Sequence, residues 1–410
     1  AGCAGLWPRR RSATGPGLAR QRRGRSLAWT GPVVKDTALA VGSAVCAGGP
    51  ATAPRDSMDR EEARALVLRC LPRFPAAGLP QLEASAVREV RSRSVARLWG
   101  GMGNVFELNV TTTAGSTVTI MAKRIKLPQR CSSVGDQRKK DSYDVEAAFY
   151  LNGHAERLIR EGCAVPFPLF VESTRGDGLT ICMSKLDGNS GWMDEGQMKA
   201  VMTWLACLHA TFWGPRADEA VAAGLQPQGC YWYLDTRAEE HSRMPSKGWE
   251  GRLRLAARAI DLRLKADPLQ SVCHGDAKDA NIVFSDGGDG SAALMYDFQY
   301  CGKAPPTKDL AYALTCASNV PTAEEALLQH YHSELSRRLE ALGDKPPTMD
   351  ALKTSLALSY CDLGRWMSGW GWWGNPINDK IIAVLDRLDE GKTLKSEEDY
   401  ADAVRREFPV

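Results

Sequence analysis

One short stretch constrains this chain more than any other: His274-Gly275-Asp276-Ala277-Lys278-Asp279-Ala280-Asn281-Ile282-Val283-Phe284, followed by Tyr296-Asp297-Phe298-Gln299. It reads as strand, polar loop, strand. Two loop carboxylates, an amide and a third carboxylate at Asp297 stand in a fixed order between apolar runs. A surface turn can collect polar groups by chance, but order, spacing and apolar flanks agree here on a site. The chain before the loop has a different character. From Val95 to Leu127 the sequence gives three β-branched runs separated by Gly-rich or Thr/Gly turns, an antiparallel meander. A helical stretch over 141–160 places Val145, Ala148, Phe149 and Leu151 on one stripe, and two further strand candidates come next in PFPLFVES and GLTICMSKL. After Asp187-Gly188-Asn189 the period turns helical: Met198, Val201, Met202, Leu205, Leu208, His209 and Phe212 recur on one face. Further helices are expected at Leu310–Ser318, Ala323–Leu342 and Met349–Ser368. The expected fold is α+β with two lobes, a small antiparallel-sheet N-lobe over 58–187 and a larger helical C-lobe over 188–410.

With 410 residues, 44% of them hydrophobic and 25% charged, the chain has ample material for such a core. It has no apolar run long enough for an integral membrane segment. The formal charge of +3 hides an asymmetry: residues 1–57 hold nine Lys/Arg against Asp36 and Asp56, or +7, and the remainder sums to −4. The folded part therefore lacks a clustered basic footprint for nucleic acid. Residues 1–57, rich in Ala, Gly, Pro and Arg, read as a disordered basic leader. Either it targets an organelle or Met58, the first methionine, is the true start. Twelve cysteines without a C-x-x-C pair read as free core thiols in a reducing, cytoplasmic setting, not as zinc ligands.

The residue types of the loop suit phosphoryl transfer. That reaction asks the protein for a base to orient a hydroxyl, cations for the phosphates and oxygen ligands for a metal. Asp276, Asn281 and Asp297 can supply the base and both ligands, and Mg2+, a hard ion, takes carboxylate and amide oxygens in preference to His or Cys.

His274, Asp276, Lys278 and Asn281 match the H-x-D-x-K-x-x-N spacing of the protein-kinase-like catalytic loop. The H-G-D start, the D-F-Q segment, Asp309-Leu310-Ala311-Tyr312 and the phrase LACLHATFWG resemble the small-molecule kinases of the aminoglycoside phosphotransferase and choline kinase superfamily, and within it the ecdysteroid-kinase-like, or CHK-like, group. The likeness runs from about Val95 to Trp373. It implies an ATP-binding, protein-kinase-like fold with Asp276 as catalytic base, Lys278 near the γ-phosphate, Asn281 and Asp297 on Mg2+, and His274 as a structural brace, with Asp309 a further structural residue of the pattern. In the first lobe Lys123, on a strand, and Glu146, on the following helix, look like the kinase Lys–Glu pair that holds the α- and β-phosphates. Gly101 and Gly103, in the turn Gly100-Gly101-Met102-Gly103-Asn104, are candidates for phosphate contact, although the turn departs from G-x-G-x-x-G and a plain hairpin turn is the other reading. Met183-Ser184-Lys185-Leu186 marks the hinge between lobes, where backbone groups would meet adenine.

Arg365 to Gly374 packs Trp366, Trp370, Trp372 and Trp373 next to Asp362. The choice is between an aromatic wall for the acceptor, with Asp362, Trp366, Trp370 and Trp372 lining it, and a helix end plugged into the core. A choline- or ethanolamine-type acceptor would use such aromatic faces with a carboxylate, yet Gln299 stands where choline kinases typically carry Glu. A catalytically silent ATP-binding scaffold is the alternative from another class. A protein kinase is disfavoured by the missing D-F-G and A-P-E phrases. The reading is an ATP- and Mg2+-dependent transfer to a hydroxyl of a small molecule.

Overall fold

The computed structural model describes residues 58–98, 101–127, 134–174, 178–190, 193–285, 292–317 and 323–410. The leader read at 1–57, Gly100 of the Gly-rich turn and Ser318 lie outside them. Helix α1 (Arg60–Cys70) opens the sheet lobe, capped by Asp59, whose carboxylate accepts the Glu62 N–H at 2.7 Å. Five strands come after it: β1 (Val87–Arg97), β2 (Gly103–Thr112), β3 (Thr117–Lys126), then α2 (Val134–Leu151) and α3 (His154–Arg160), then β4 (Pro168–Thr174) and β5 (Gly178–Ser184). They form one antiparallel sheet in the order β1-β2-β3-β5-β4. The expected meander is there, but its first strand begins at Val87, well before Val95.

Alternation along the strands sends side chains to two different cores. Phe106, Leu108, Ile120, Ala122 and Cys182 pack with Ala63, Val67 and Cys70 of α1. Ile125 and Ile181 face the other way and join Phe149 and the helical lobe. Lys123 lies between Ala122 and Ile125 in register with Ile181, so it shares that second face.

The helical stretch read over 141–160 divides. Helix α2 ends at Leu151, and Gly153, at φ 77°, precedes α3. The expected stripe holds in part: Val145 and Phe149 are buried and Leu151, the last residue of α2, is 57% exposed, while Tyr143, Glu146, Ala147 and Tyr150 widen the buried face.

Helix α4 (Glu195–Thr211) begins the helical lobe behind a capping box of Asp194 and Gln197. Then come α5 (Pro215–Ala222), α6 (Ala238–Arg243), α7 (Gly248–Lys265), the short strands β6 (Ser271–Cys273), β7 (Ile282–Ser285), β8 (Ala292–Met295) and β9 (Gly302–Ala304), and helices α8 (Thr307–Cys316), α9 (Glu324–Ala341), α10 (Met349–Trp370), α11 (Asn378–Leu388) and α12 (Glu397–Glu407). The polar loop of 274–281 leaves β6 and enters β7, and β6 pairs with β9 while β7 pairs with β8. Helices α4 and α9 pack together, as do α7 with α10 and α12. The architecture is α+β, a sheet lobe beside a helical lobe. Nine cysteines fall among the described residues; all are unpaired and eight are buried. Among those residues no helix is long and apolar enough to cross a membrane.

Candidate active site

Lys123 joins the lobes. Its Nζ donates to Glu146 Oε2 of α2 at 2.6 Å and to Asp297 Oδ1, beyond β8, at 2.9 Å. Burial alone would depress this ammonium, but the carboxylates of Asp297 and Glu146 outweigh it and hold Lys123 above the ordinary lysine range. Glu146 carries the desolvation: burial pushes its carboxyl up to about 7, and the Lys123 charge only partly offsets this. Burial also pushes Asp297 upward, yet Lys123, with Lys278, brings it to a net position below the ordinary carboxylate range. The Asp297 side chain stays 31% accessible, so its carboxylate reaches the open side.

Asp297 sits at φ 71°, in the left-handed region. A non-glycine residue held there costs on the order of 1 kcal/mol or more and marks a position fixed by its surroundings. The fixing groups are nearby. The buried Phe298 ring stacks on Phe149 of α2 with centroids 3.8 Å apart, and Tyr296 Oη donates to the Ala280 carbonyl at 2.6 Å. The D-F-Q segment is thereby tied both to the helix that carries Glu146 and to the polar loop.

Within the loop, Asp276 Oδ2 accepts from Asn281 Nδ2 at 3.0 Å and pairs with Lys278 Nζ at 3.0 Å, while its Oδ1 is buried with no hydrogen-bond partner. Burial raises the Asp276 carboxyl above its ordinary value; Lys278 opposes the shift and Asp297 adds to it. Because Asn281 directs its amide N–H groups to the Asp276 carbonyl and carboxylate, its side-chain oxygen is turned the other way.

Asp309, at the start of α8, clamps the loop from below. Its carboxylate accepts the His274 N–H at 2.6 Å and the Gly275 N–H at 2.9 Å, and Oδ2 lies 3.2 Å from His209 Nε2 of α4. Burial would raise this carboxyl, but the hydrogen bonds from His209 and the Gly275 N–H hold it below the usual range. His274 Nε2 meets the Tyr296 carbonyl at 3.1 Å, and its Nδ1 accepts the Asp276 N–H at 3.3 Å. His209 completes this support through Tyr331 Oη at 2.8 Å. In the sequence His209 is one more member of an apolar stripe, and nothing local separates it from a core residue. Gln299 of the D-F-Q segment joins in from the other side: its Oε1 accepts from Ser142 at 3.3 Å and its amide helps hold Glu146 ionised.

Lys123, Glu146 and Asp297 thus form one bonded polar group and Asp276, Lys278 and Asn281 another, with Asp297 close enough for its charge to act on Asp276 and Lys278. Gly101 and Gly103 belong to the β1–β2 turn, where the Leu98 N–H donates to the Gly103 carbonyl at 2.9 Å. Gly103, at φ 135°, faces β3 so closely that a Cβ would collide with the Arg124 carbonyl. Strand packing alone therefore demands glycine at 103.

The acceptor expectations divide. Asp362 is corrected: it lies in the helical core, with Oδ2 3.0 Å from Lys308 Nζ and Oδ1 2.7 Å from Arg365 Nη2. Two buried cations need that carboxylate, and α10 points it away from solvent. Trp366 is buried, whereas Trp370 and Trp372 are 53% and 42% exposed. Trp366 and Trp370 lie together, centroids 6.1 Å apart, but Trp372 turns to Trp249 and donates from Nε1 to Glu250 Oε1 at 3.2 Å. Not anticipated was the company of Trp366: the Tyr231 ring lies 5.2 Å away, and Tyr300 lies 4.8 Å beyond Tyr231. The aromatic run Tyr231-Trp232-Tyr233 is the signal that could have pointed there.

Solved structures similar to the chain include an ethanolamine kinase of Plasmodium vivax, at 14% identity over 86% of this chain and 93% of that one with a TM-score of 0.45. An amicoumacin kinase in complex with AMP-PNP and Ca2+ is 16% identical over 78% and 91%, with a TM-score of 0.41. An aminoglycoside phosphotransferase from Streptomyces rimosus in complex with ADP and streptomycin is 16% identical over 74% and 97%, with a TM-score of 0.38. No curated protein sequence matches the chain. A family model described as the phosphotransferase enzyme family matches residues 171–342. Those residues run from the edge of the sheet lobe through the polar loop to α9, so the match takes in the loop whose motif resembles the same family.

Proposed function

We propose that this chain is a kinase that uses ATP and Mg2+ to phosphorylate a hydroxyl of a small molecule. One observation carries the reading: Lys123 bridges Glu146 and Asp297 across the lobes, beside an Asp276 whose Oδ1 is buried without a partner. A buried carboxylate oxygen left unpaired is costly unless a ligand supplies the missing hydrogen bond. A hydroxyl is the donor it suits. Asp276 would orient that hydroxyl and take its proton at Oδ1, and a carboxyl raised by burial is better matched to this task than an exposed one.

The donor set fits magnesium. Asp297 offers an accessible carboxylate and Asn281 a side-chain oxygen turned from its own hydrogen bonds, the hard oxygen ligands that such an ion combines with phosphate and water. When bound with the nucleotide, the ion supplies charge neutralisation on the phosphates. The chain's own cations do similar work: Lys123, fixed by two carboxylates, presents a localised charge to the α- and β-phosphates, and Lys278, paired to Asp276, lies where the transferred group would pass. Asp276→Asn should reduce turnover by about 10²-fold or more, within the range general-base contributions reach, while ATP affinity by calorimetry stays within about twofold. Turnover unchanged in that variant would remove Asp276 from the reaction.

A further inference from the structure

Beside the reaction centre lies a box of aromatic faces, and the protein has put a cation of its own into it. Arg237 follows the Tyr231-Trp232-Tyr233 run and precedes α6. Its Cζ sits 5.1 Å from the Tyr231 centroid, 5.4 Å from Trp366 and 5.8 Å from Trp370. The side chain is nine-tenths buried and held from two directions: Nε donates to the Tyr231 carbonyl at 3.1 Å and Nη1 to Glu240 Oε1 at 3.2 Å. The box is built for this. Gly369 of α10 packs so tightly on the Glu240 carbonyl that a Cβ would collide with it, which sets Trp366 and Trp370 over the guanidinium.

The box also adjoins Asp276. Gly275 packs against the Tyr300 carbonyl and the Cys230 N–H, which places the Tyr300 and Tyr231 backbones next to the catalytic loop. The Asp276 charge is close enough to help raise the hydroxyls of both Tyr231 and Tyr300. From the other side Arg138 of α2 donates to the Thr236 carbonyl, so a second guanidinium faces the same ground. Aromatic faces of this kind attract ammonium groups, but here the attraction is already taken up by Arg237, and Arg138 adds repulsion.

We infer that Arg237 is a specificity-determining residue: by occupying the aromatic box of Tyr231, Trp366 and Trp370 it excludes acceptors with a cationic head and restricts the site to uncharged or acidic hydroxyl compounds. This rests on the phosphotransferase reading for the word acceptor, but not for the occupancy of the box. The selection works by exclusion, since a quaternary ammonium meets like charge where it needs a ring face.

The test separates binding from transfer. Tetramethylammonium chloride, a bare cationic head, is titrated into the full chain and its Arg237→Gln and Arg237→Lys variants by calorimetry at constant ionic strength, with circular dichroism and thermal unfolding checking the fold. The expected result is no measurable binding to the native chain or to Arg237→Lys, and binding at least tenfold stronger to Arg237→Gln. Binding to the native chain as tight as to Arg237→Gln overturns the inference, as does its absence from a folded Arg237→Gln. Should Arg237→Gln fail to fold, Trp370→Leu, which removes one exposed wall, serves with an Arg237→Met variant, and the same two results decide. In parallel, ATP-dependent transfer is measured with choline, glycerol and glycerate. Transfer to choline by the native chain at a rate matching glycerol or glycerate also overturns the inference. Transfer to none of the three with the tetramethylammonium difference intact supports the closed box and counts against the phosphotransferase reading alone.

Discussion

Removing the Asp309 carboxylate should cost the helical lobe much of its stability and the polar loop its position. The carboxylate receives two backbone N–H groups, from His274 at 2.6 Å and Gly275 at 2.9 Å, and a third contact from His209, all of them buried. A hydrogen bond to a charged group is worth roughly 1.5–3 kcal/mol net, and a buried donor left without a partner costs roughly 1–3 kcal/mol. Asp309→Ala strands both N–H groups at once but also relieves the burial of a carboxylate, so the expected loss is about 3–5 kcal/mol. At about 2.1 cal/mol/K of unfolding entropy per residue over the roughly 330 described residues, this lowers Tm by about 4–7 °C. Urea unfolding should show a lower midpoint with an unchanged slope. Because the two freed N–H groups flank Asp276 directly, turnover should fall by at least tenfold at temperatures where the variant is still folded. Asp309→Asn keeps the shape yet turns an NH2 toward one of the two N–H donors, so it should recover less than half of the loss. Asp309→Ala with a stability change below about 1 kcal/mol and native turnover would refute the clamp.

The remaining expectations concern other links. Glu146, with a carboxyl pushed up to about 7, should take a proton as pH falls through neutrality and release Lys123, so kcat/KM for ATP should drop below about pH 7 and the drop should vanish in Glu146→Gln. The stability effect runs the other way: the folded value lies above the ordinary 4.5, the folded chain binds the extra proton between the two, and stability due to this group is present at low pH and lost as pH rises through about 7. Difference titration of Tm between the native chain and Glu146→Gln checks the sign. Asp362→Ala should leave Lys308 and Arg365 buried without their partner and cost about 3–5 kcal/mol in urea unfolding; an effect confined to acceptor KM would instead return Asp362 to the acceptor site. Gly103→Ala, with φ 135° and the Arg124 carbonyl in its way, should lower stability by about 1–3 kcal/mol, read as a shift in thermal unfolding of the sheet lobe.

The local chemistry was legible in the order of the amino acids. Alternating β-branched runs specify a sheet before residue 187, a helical period specifies most of the chain after it, and the spacing of His274, Asp276, Lys278 and Asn281 specifies a polar loop whose members are near one another because a short loop cannot hold them apart. The pairing of Lys123 with Glu146 was anticipated only through the resemblance of the loop, since one Lys on a strand and one Glu on a helix are by themselves ordinary surface charges. Which of several equivalent-looking side chains face inward together was settled by the packing in three dimensions. Asp362 and Asp309 are both acidic residues in helices, yet one neutralises two core cations and the other receives the backbone of the loop. Leu151 looked like a core residue beside Val145 and Phe149, which are buried, yet it is exposed, because α2 ends on it and the chain leaves the helix before Gly153. The four tryptophans divide between two surroundings for a like reason: their fate depends on the turn that α10 makes against Glu240, and on an arginine more than a hundred residues earlier in the chain. Long-range packing of this kind leaves no periodicity in the sequence, since the residues that meet are set by how the lobes and helices close and not by any spacing along the backbone.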